Sequence, residues 1–246
     1  DFVNFGGVDD VNLSTYTLMV WAKSDAFSSY QGIITNGSGT NQAIYGYNLY
    51  INEEQYGVEG QYQQLVFNAA GVSEDTYLSY NMPMYEWKHI AISVDNSEKT
   101  VKMYVDGNLH KTKNYSGNSG NNYGTLQFGS WDNSYLLTGG LDEISIWNTV
   151  LTESEIQVNM YNELSGDEGG LVGYWNFNEG TGTTLTDQSG NGNNGTINGA
   201  SYATEGGIAN YTSGSGGSTL TFNYTVVARE VSSDLDYART SALSLN

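Results

Sequence analysis

Leu141-Asp142-Glu143-Ile144-Ser145-Ile146-Trp147 carries apolar side chains at nearly every second position, with polar ones between them. A chain of period two offers one face to a core and the other to water, and reads as a half-buried strand. The same alternation returns at 15–21, 45–51, 64–68, 89–94 and 102–105. Turn clusters separate these runs, among them Asn36-Gly37-Ser38-Gly39 and Asp106-Gly107-Asn108. The second joins 101–105 to 109–113 as a hairpin. Short strands at such spacing predict an all-β fold, a two-sheet antiparallel sandwich.

Composition points the same way. Among 246 residues there are 31 Gly, 20 Tyr and 1 Pro, which favours short strands and turns over helices and leaves enough chain for a full core. Eight Lys and Arg stand against 27 Asp and Glu, a formal charge of -19. That balance repels phosphate backbones and anionic membrane surfaces, so nucleic acid is not an expected partner; it suits divalent cations, but solubility alone accounts for it. There is no cysteine, which excludes disulfides, thiolate metal sites and cysteine catalysis. No apolar run approaches the roughly 20 residues that span a bilayer, so membrane insertion is not expected. The strand-like start at Asp1-Phe2-Val3, without methionine, reads as a piece of something longer with any export signal removed.

Leu151-Thr152-Glu153-Ser154-Glu155-Ile156 has the signature of one short helix, with Thr152 as cap and Glu155 three residues on, running through Val158 towards Leu164 and expected to plug an edge of the sandwich. A strand is expected at 171–177, followed by a Gly/Asn/Thr-rich loop over 178–200. Composition shifts near Glu205-Gly206-Gly207, dividing a main body at 1–203 from an extension at 204–246. In the extension Leu220, Phe222, Tyr224 and Val226 share one face, a turn surrounds Asp234-Leu235-Asp236, and a last strand follows at 241–245. Two strands alone are unstable in water, so this tail is expected to pack on the sandwich, on a missing half-domain or on a neighbouring molecule.

Thr17-Leu18-Met19-Val20-Trp21-Ala22-Lys23, the hairpin from Glu86-Trp87-Lys88-His89 to Met103-Tyr104-Val105-Asp106-Gly107, and Gly140 to Trp147 together resemble the concanavalin A-like, laminin-G-like jelly-roll family. Leu171-Val172-Gly173-Tyr174-Trp175-Asn176-Phe177 and Asp187-Gln188-Ser189-Gly190-Asn191-Gly192-Asn193-Asn194-Gly195 resemble a segment that often opens such a domain. Here it follows the helix. Either the domain closes on its own late strand, the favoured reading, or a second incomplete copy begins at Trp175. The tail is similar to the closing half of an immunoglobulin-like repeat of giant bacterial surface adhesins, through Ser213-Gly214-Ser215-Gly216 and Ser233-Asp234-Leu235-Asp236-Tyr237.

Trp21, Trp87, Trp147 and Trp175 stand on strands, where an inward aromatic fills a sandwich core. Trp131 lies instead in the turn-rich Gly129-Ser130-Trp131-Asp132-Asn133-Ser134-Tyr135. A loop tryptophan beside a carboxylate and an amide matches a sugar site, the ring against the C–H surface and the polar groups on hydroxyls, so Trp131, Asp132, Asn133 and Tyr135 form the candidate ligand site. A tryptophan folded over a core edge is the alternative. Tyr30, Tyr56, Tyr62 and Tyr123 are weaker candidates of the same kind. Asp187, Asn191 and Asn193 bring carboxylate, amide and backbone oxygens into one tight loop, as calcium requires. The resemblance also implies a structural calcium at such a loop, with Asp142 or Glu143 nearby; a glycine-shaped turn is the alternative. Asp9-Asp10 is a further, weaker pair.

Catalysis finds little support. Retaining glycosidases of this superfamily carry carboxylates at alternate positions of one strand, whereas Glu143, Ser145 and Trp147 supply one, and adjacent Asp142 and Glu143 are expected to face opposite sides. His89 and His110 lack metal-like spacing, and neither a Gly-x-Ser-x-Gly elbow nor a phosphate loop occurs. The expectation is a secreted or cell-surface, non-enzymatic module that contacts glycans or a cell-surface polysaccharide. Its rivals are a filament or adhesin subunit that self-associates by strand addition through the C-terminal strands, and an ancillary domain of a larger carbohydrate-active enzyme.

Overall fold

A computed structural model describes residues 1–28, 30–37, 46–52, 62–69, 78–117, 124–202, 210–213 and 221–223. Along the chain run β1 (Phe2–Asn4), β2 (Tyr16–Ser24), β3 (Gln31–Thr35), β4 (Tyr47–Asn52), β5 (Tyr62–Ala69), β6 (Leu78–Pro83), β7 (Lys88–Asp95), β8 (Thr100–Val105), β9 (Asn108–Asn114), β10 (Gln127–Phe128) and β11 (Gly139–Trp147). The helix α1 (Glu153–Asn159) comes next, then β12 (Leu171–Trp175), β13 (Thr184–Leu185), β14 (Gly195–Asn198), β15 (Asn210–Ser213) and β16 (Thr221–Asn223). Asp9 and Asp10 fall in one 3-10 turn, Asp9–Val11.

The chain divides into two compact units, Asp1–Ala203 and Thr204–Asn246. The first is an antiparallel sandwich with sheet orders β13-β14-β1-β10-β3-β4-β5-β6 and β12-β11-β2-β7-β8-β9. In the second, β15 pairs with β16. Leu220, Tyr224, Val226 and the expected turn and last strand of the tail lie outside the described residues.

Late chain closes the sandwich. β14 pairs with β1, joining Val3 to Ile197, and β12 pairs with β11. The expected loop at 178–200 therefore contains strands; Gly195-Thr196-Ile197-Asn198 is too short and too poor in apolar residues to announce one. Gly195 is needed there because a Cβ would meet the Phe5 ring at 2.8 Å.

Alternation decides what enters the core between the sheets: Leu18, Val20 and Ala22 from β2, Ile90, Ile92 and Val94 from β7, Leu49 and Ile51 from β4, Leu65 and Phe67 from β5. Phe5, Phe128 and Trp175 meet edge to face at 4.5–5.0 Å and lock β1, β10 and β12 together.

The helix covers a face, not an edge as expected. Its Ile156, with Met160 beyond it, packs on Met19, Ala91, Tyr104, Trp147 and Tyr174, which point away from the main core on the six-stranded sheet. A complete capping box at Thr152 and Glu155 starts it. It ends at Asn159, short of the expected continuation to Leu164. Because α1 supplies a second apolar layer, β2 is buried on both faces and is not the half-buried strand its alternation implied. The same layer corrects the tryptophans. Trp175 alone of the four fills the inter-sheet core; Trp147 joins the cluster under the helix, and Trp21 donates from Nε1 to Met160 O at 3.1 Å. Trp87 is half-buried against Gly140, with the Lys23 ammonium 5.9 Å from its ring centroid.

Candidate functional site

The outer face of the eight-stranded sheet is built by register. Leu49 and Ile51 point into the core, so Asn48 and Tyr50 point out, and Tyr50 lies opposite Gly32 of β3. Gly32 has no side chain to fill that position, and the turn 130–135 fills it. A Cβ on Gly32 would stand 2.6 Å from Trp131 N and closer still to the Ser130 carbonyl. Thr35 Oγ1 donates to Ser130 O at 2.8 Å, and Gly32 N donates to Tyr135 O at 3.0 Å, tying the turn to β3 at both ends.

Within the turn Asp132 and Asn133 both adopt left-handed backbone, φ 56° and 57°, a conformation that Asp and Asn tolerate best. Tyr135 N returns to Trp131 O at 3.2 Å. The result brings Trp131 to 5.0 Å from Tyr50, 6.0 Å from Tyr135 and 6.2 Å from Tyr30, ring centroid to centroid. Tyr30 stacks over Tyr50 at 6.2 Å and 28°. Trp131, Tyr30 and Tyr135 keep part of their surface in solvent, while Tyr50 is buried beneath them.

The four sequence candidates separate here. Trp131 and Tyr135 belong to the aromatic cluster, and Asp132 is exposed beside them. Asn133 braces the turn: its Oδ1 accepts from Gln127 Nε2 at 2.7 Å, and its backbone N donates to Gln127 Oε1. Of the weaker candidates Tyr30 joins the cluster, Tyr62 begins β5, and Tyr56 and Tyr123 lie outside the described residues. Tyr50 and Gly32 were missed. Period two in β4 puts Tyr50 on the face opposite Leu49, but nothing local brings residues 130–135 over it.

The loop expected to hold calcium does a different task. Asp187 Oδ1 accepts from Tyr174 N at 3.0 Å and from the backbone N and hydroxyl of Ser189; Oδ2 accepts from Asn193 N at 2.9 Å. Gln188 N donates to Tyr174 O, and Asn191 and Asn193 each donate from Nδ2 to Val172 O at 3.0 Å. Tyr174 and Val172 lie on β12, the edge strand of its sheet. Residues 187–193 thus satisfy that edge much as another strand would. Cation ligands must turn oxygens to a common point, whereas both oxygens of Asp187 face N–H and O–H donors and both amides present nitrogen to a carbonyl. As folded, these residues do not fit a resident calcium. Asp142, 8 % exposed, accepts at Oδ1 from Glu143 N.

Asp142 and Glu143 do not face opposite sides. Register slips between Asp142 and Ser145, and Glu143 takes left-handed backbone at φ 47°. Asp142 lies opposite Trp21, and Glu143 lines a small cavity with Trp21, His89, Ser145, Met160 and Tyr174. The Tyr174 hydroxyl donates to the Glu143 carboxylate. Burial, then that carboxylate, pushes the Tyr174 pKa up, and burial lowers His89 to about 3. The cavity, about 10 Å³, admits a water molecule and not a sugar ring.

Comparison with known proteins gives a family match and several structural likenesses. The family model described as Concanavalin A-like lectin/glucanases superfamily matches residues 1–157. The human pentraxin-related protein PTX3 is 25% identical over 185 residues, 69% of this chain, and the chain spans 46% of that relative's length. A Bacteroides ovatus protein named as a candidate carbohydrate-binding protein shares the fold at a TM-score of 0.56 and 18% identity, covering 78% of this chain and 56% of its own. The CBM40 of a Ruminococcus gnavus sialidase, bound to α2,3 sialyllactose, aligns at a TM-score of 0.45 and 16% identity, covering 59% and 82%.

Proposed function

Because the chain belongs to the Concanavalin A-like lectin/glucanases superfamily, we propose that its sandwich is a non-catalytic carbohydrate-binding module whose sugar rests on Trp131, Tyr135 and Tyr30. The observation that carries this reading is the cluster of four rings held over Gly32 on the outer face of a sheet. Rings braced from below, Trp131, Tyr30 and Tyr135 inclined to one another by 54–70°, present an apolar surface of ring faces and edges with little ordering cost at binding, and exposed Asp132 stands beside them to accept from hydroxyls. The fold shared with the Bacteroides ovatus protein supports the reading at the level of fold. The chemistry of the second sheet supports the non-catalytic part: Glu143 is engaged by Tyr174 beneath α1, in a cavity too small for substrate. A strongly acidic chain, kept soluble by its charge, suits the secreted or cell-surface setting proposed here. Adhesion, in this reading, is the consequence of sugar binding.

The test is a glycan array followed by titration calorimetry with wild type, Trp131→Ala and a control on the other sheet, Thr112→Ala. Trp131→Ala weakens binding at least about tenfold, the effect expected of a central aromatic anchor, and the control does not. A blank array, or binding indifferent to Trp131, sinks the proposal.

A further inference from the structure

The charge class of that sugar follows from where the cations sit. Residues 1–203 contain six lysines and no arginine: Lys23, Lys88, Lys99, Lys102, Lys111 and Lys113. Lys23 lies on β2, Lys88 on β7, Lys99 in the turn between β7 and β8, Lys102 on β8, and Lys111 and Lys113 on β9. All belong to the six-stranded sheet and its turns. Not one stands on a strand of the eight-stranded sheet. Lys23 pairs with Asp25 at 2.9 Å and Lys88 with Asp106 at 3.1 Å.

The sheet that carries the aromatic cluster has the opposite character. Asp132 is exposed on the cluster's own turn. In sequence, the segments joining β4 to β5 and β5 to β6 contribute Glu53, Glu54, Glu59, Glu74 and Asp75 and no cation. A carboxylate or sulfate brought to this turn meets the like charge of Asp132 and finds no lysine on any strand of the eight-stranded sheet to replace its water.

Resting on the sugar-binding reading above, we infer that the aromatic cluster selects neutral glycans and discriminates against sialylated, uronic and sulfated ones. The experiment is an array of matched pairs, each neutral oligosaccharide beside its sialylated or sulfated counterpart, probed with wild type, Trp131→Ala and Asp132→Asn at low and at physiological salt. Neutral members bind with dependence on Trp131, and their anionic partners bind at least about tenfold more weakly at low salt, a gap that narrows as salt screens the field. Asp132→Asn narrows it by about threefold at low salt, as expected for removing one like charge within a few ångströms. If anionic members bind as tightly as neutral ones, still through Trp131, the inference is overturned while the sugar site stands. If no glycan depends on Trp131, both readings fall.

Discussion

Replacing Asp187 with alanine decides whether the 187–193 loop is a strand-edge cover or a cation site. The carboxylate is 6 % exposed and accepts from two buried backbone N–H groups, Tyr174 N and Asn193 N, and from the partly buried Ser189. In Asp187→Ala, Ser189 finds water, but the two buried N–H groups are left unpaired at about 1–3 kcal/mol each, or about 4 kcal/mol together. For a unit of this length each kcal/mol lowers Tm by about 2–4 °C, so the variant should melt about 10 °C below wild type. Circular dichroism melts of both proteins, in EDTA and in millimolar calcium, are the assay. The deficit should be the same in both buffers, with the wild-type Tm unmoved by chelation. A wild-type Tm that rises with calcium while the variant's does not would make Asp187 a cation ligand and refute the edge-cover argument. A deficit below about 2 °C would refute it as well.

Three further outcomes are expected. His89 is neutral in the fold down to about pH 3 and titrates near 6.5 when unfolded, so the unfolded chain holds the extra proton between those values. Stability attributable to His89 is therefore complete above pH 6.5 and falls as pH drops towards 3, by at most about 5 kcal/mol; denaturant melts at pH 7 and pH 4 should show His89→Gln losing less than wild type, and equal losses contradict the assignment. Gly32→Ala forces Ser130 and Trp131 off β3, lowering stability by about 1–3 kcal/mol and abolishing Trp131-dependent glycan binding; unchanged binding would mean the turn does not need that close approach. Thr152→Ala removes the capping box and should destabilise by about 1 kcal/mol without altering glycan affinity, since α1 covers the other sheet; a matched loss of affinity in calorimetry would contradict that separation.

Local signals were legible wherever one segment carried its own structural reason. Period two marked β2, β7 and β11, Asp106-Gly107 marked the hairpin between β8 and β9, and Thr152 with Glu155 marked the start of α1. The family likeness on those strands led to the sandwich, and the unusual setting of Trp131 led to the aromatic cluster. What the chain by itself determined, then, is which residues share a face and where the chain turns, because these follow from backbone geometry and side-chain chemistry over a few positions.

Tertiary structure decided which face is which and what each polar group does. Trp21 and Trp175 look alike in sequence, yet α1 makes a second apolar layer that takes Trp21 to the outside of its sheet while Trp175 stays between the two. The loop at Asp187 reads as an oxygen-rich cation loop until β12 is laid beside it and its oxygens meet backbone donors. Tyr50 becomes part of the site only when residues some eighty positions later cross Gly32. Each of these outcomes depends on contacts between distant segments, and period and composition are silent about which segment will arrive to satisfy a given surface.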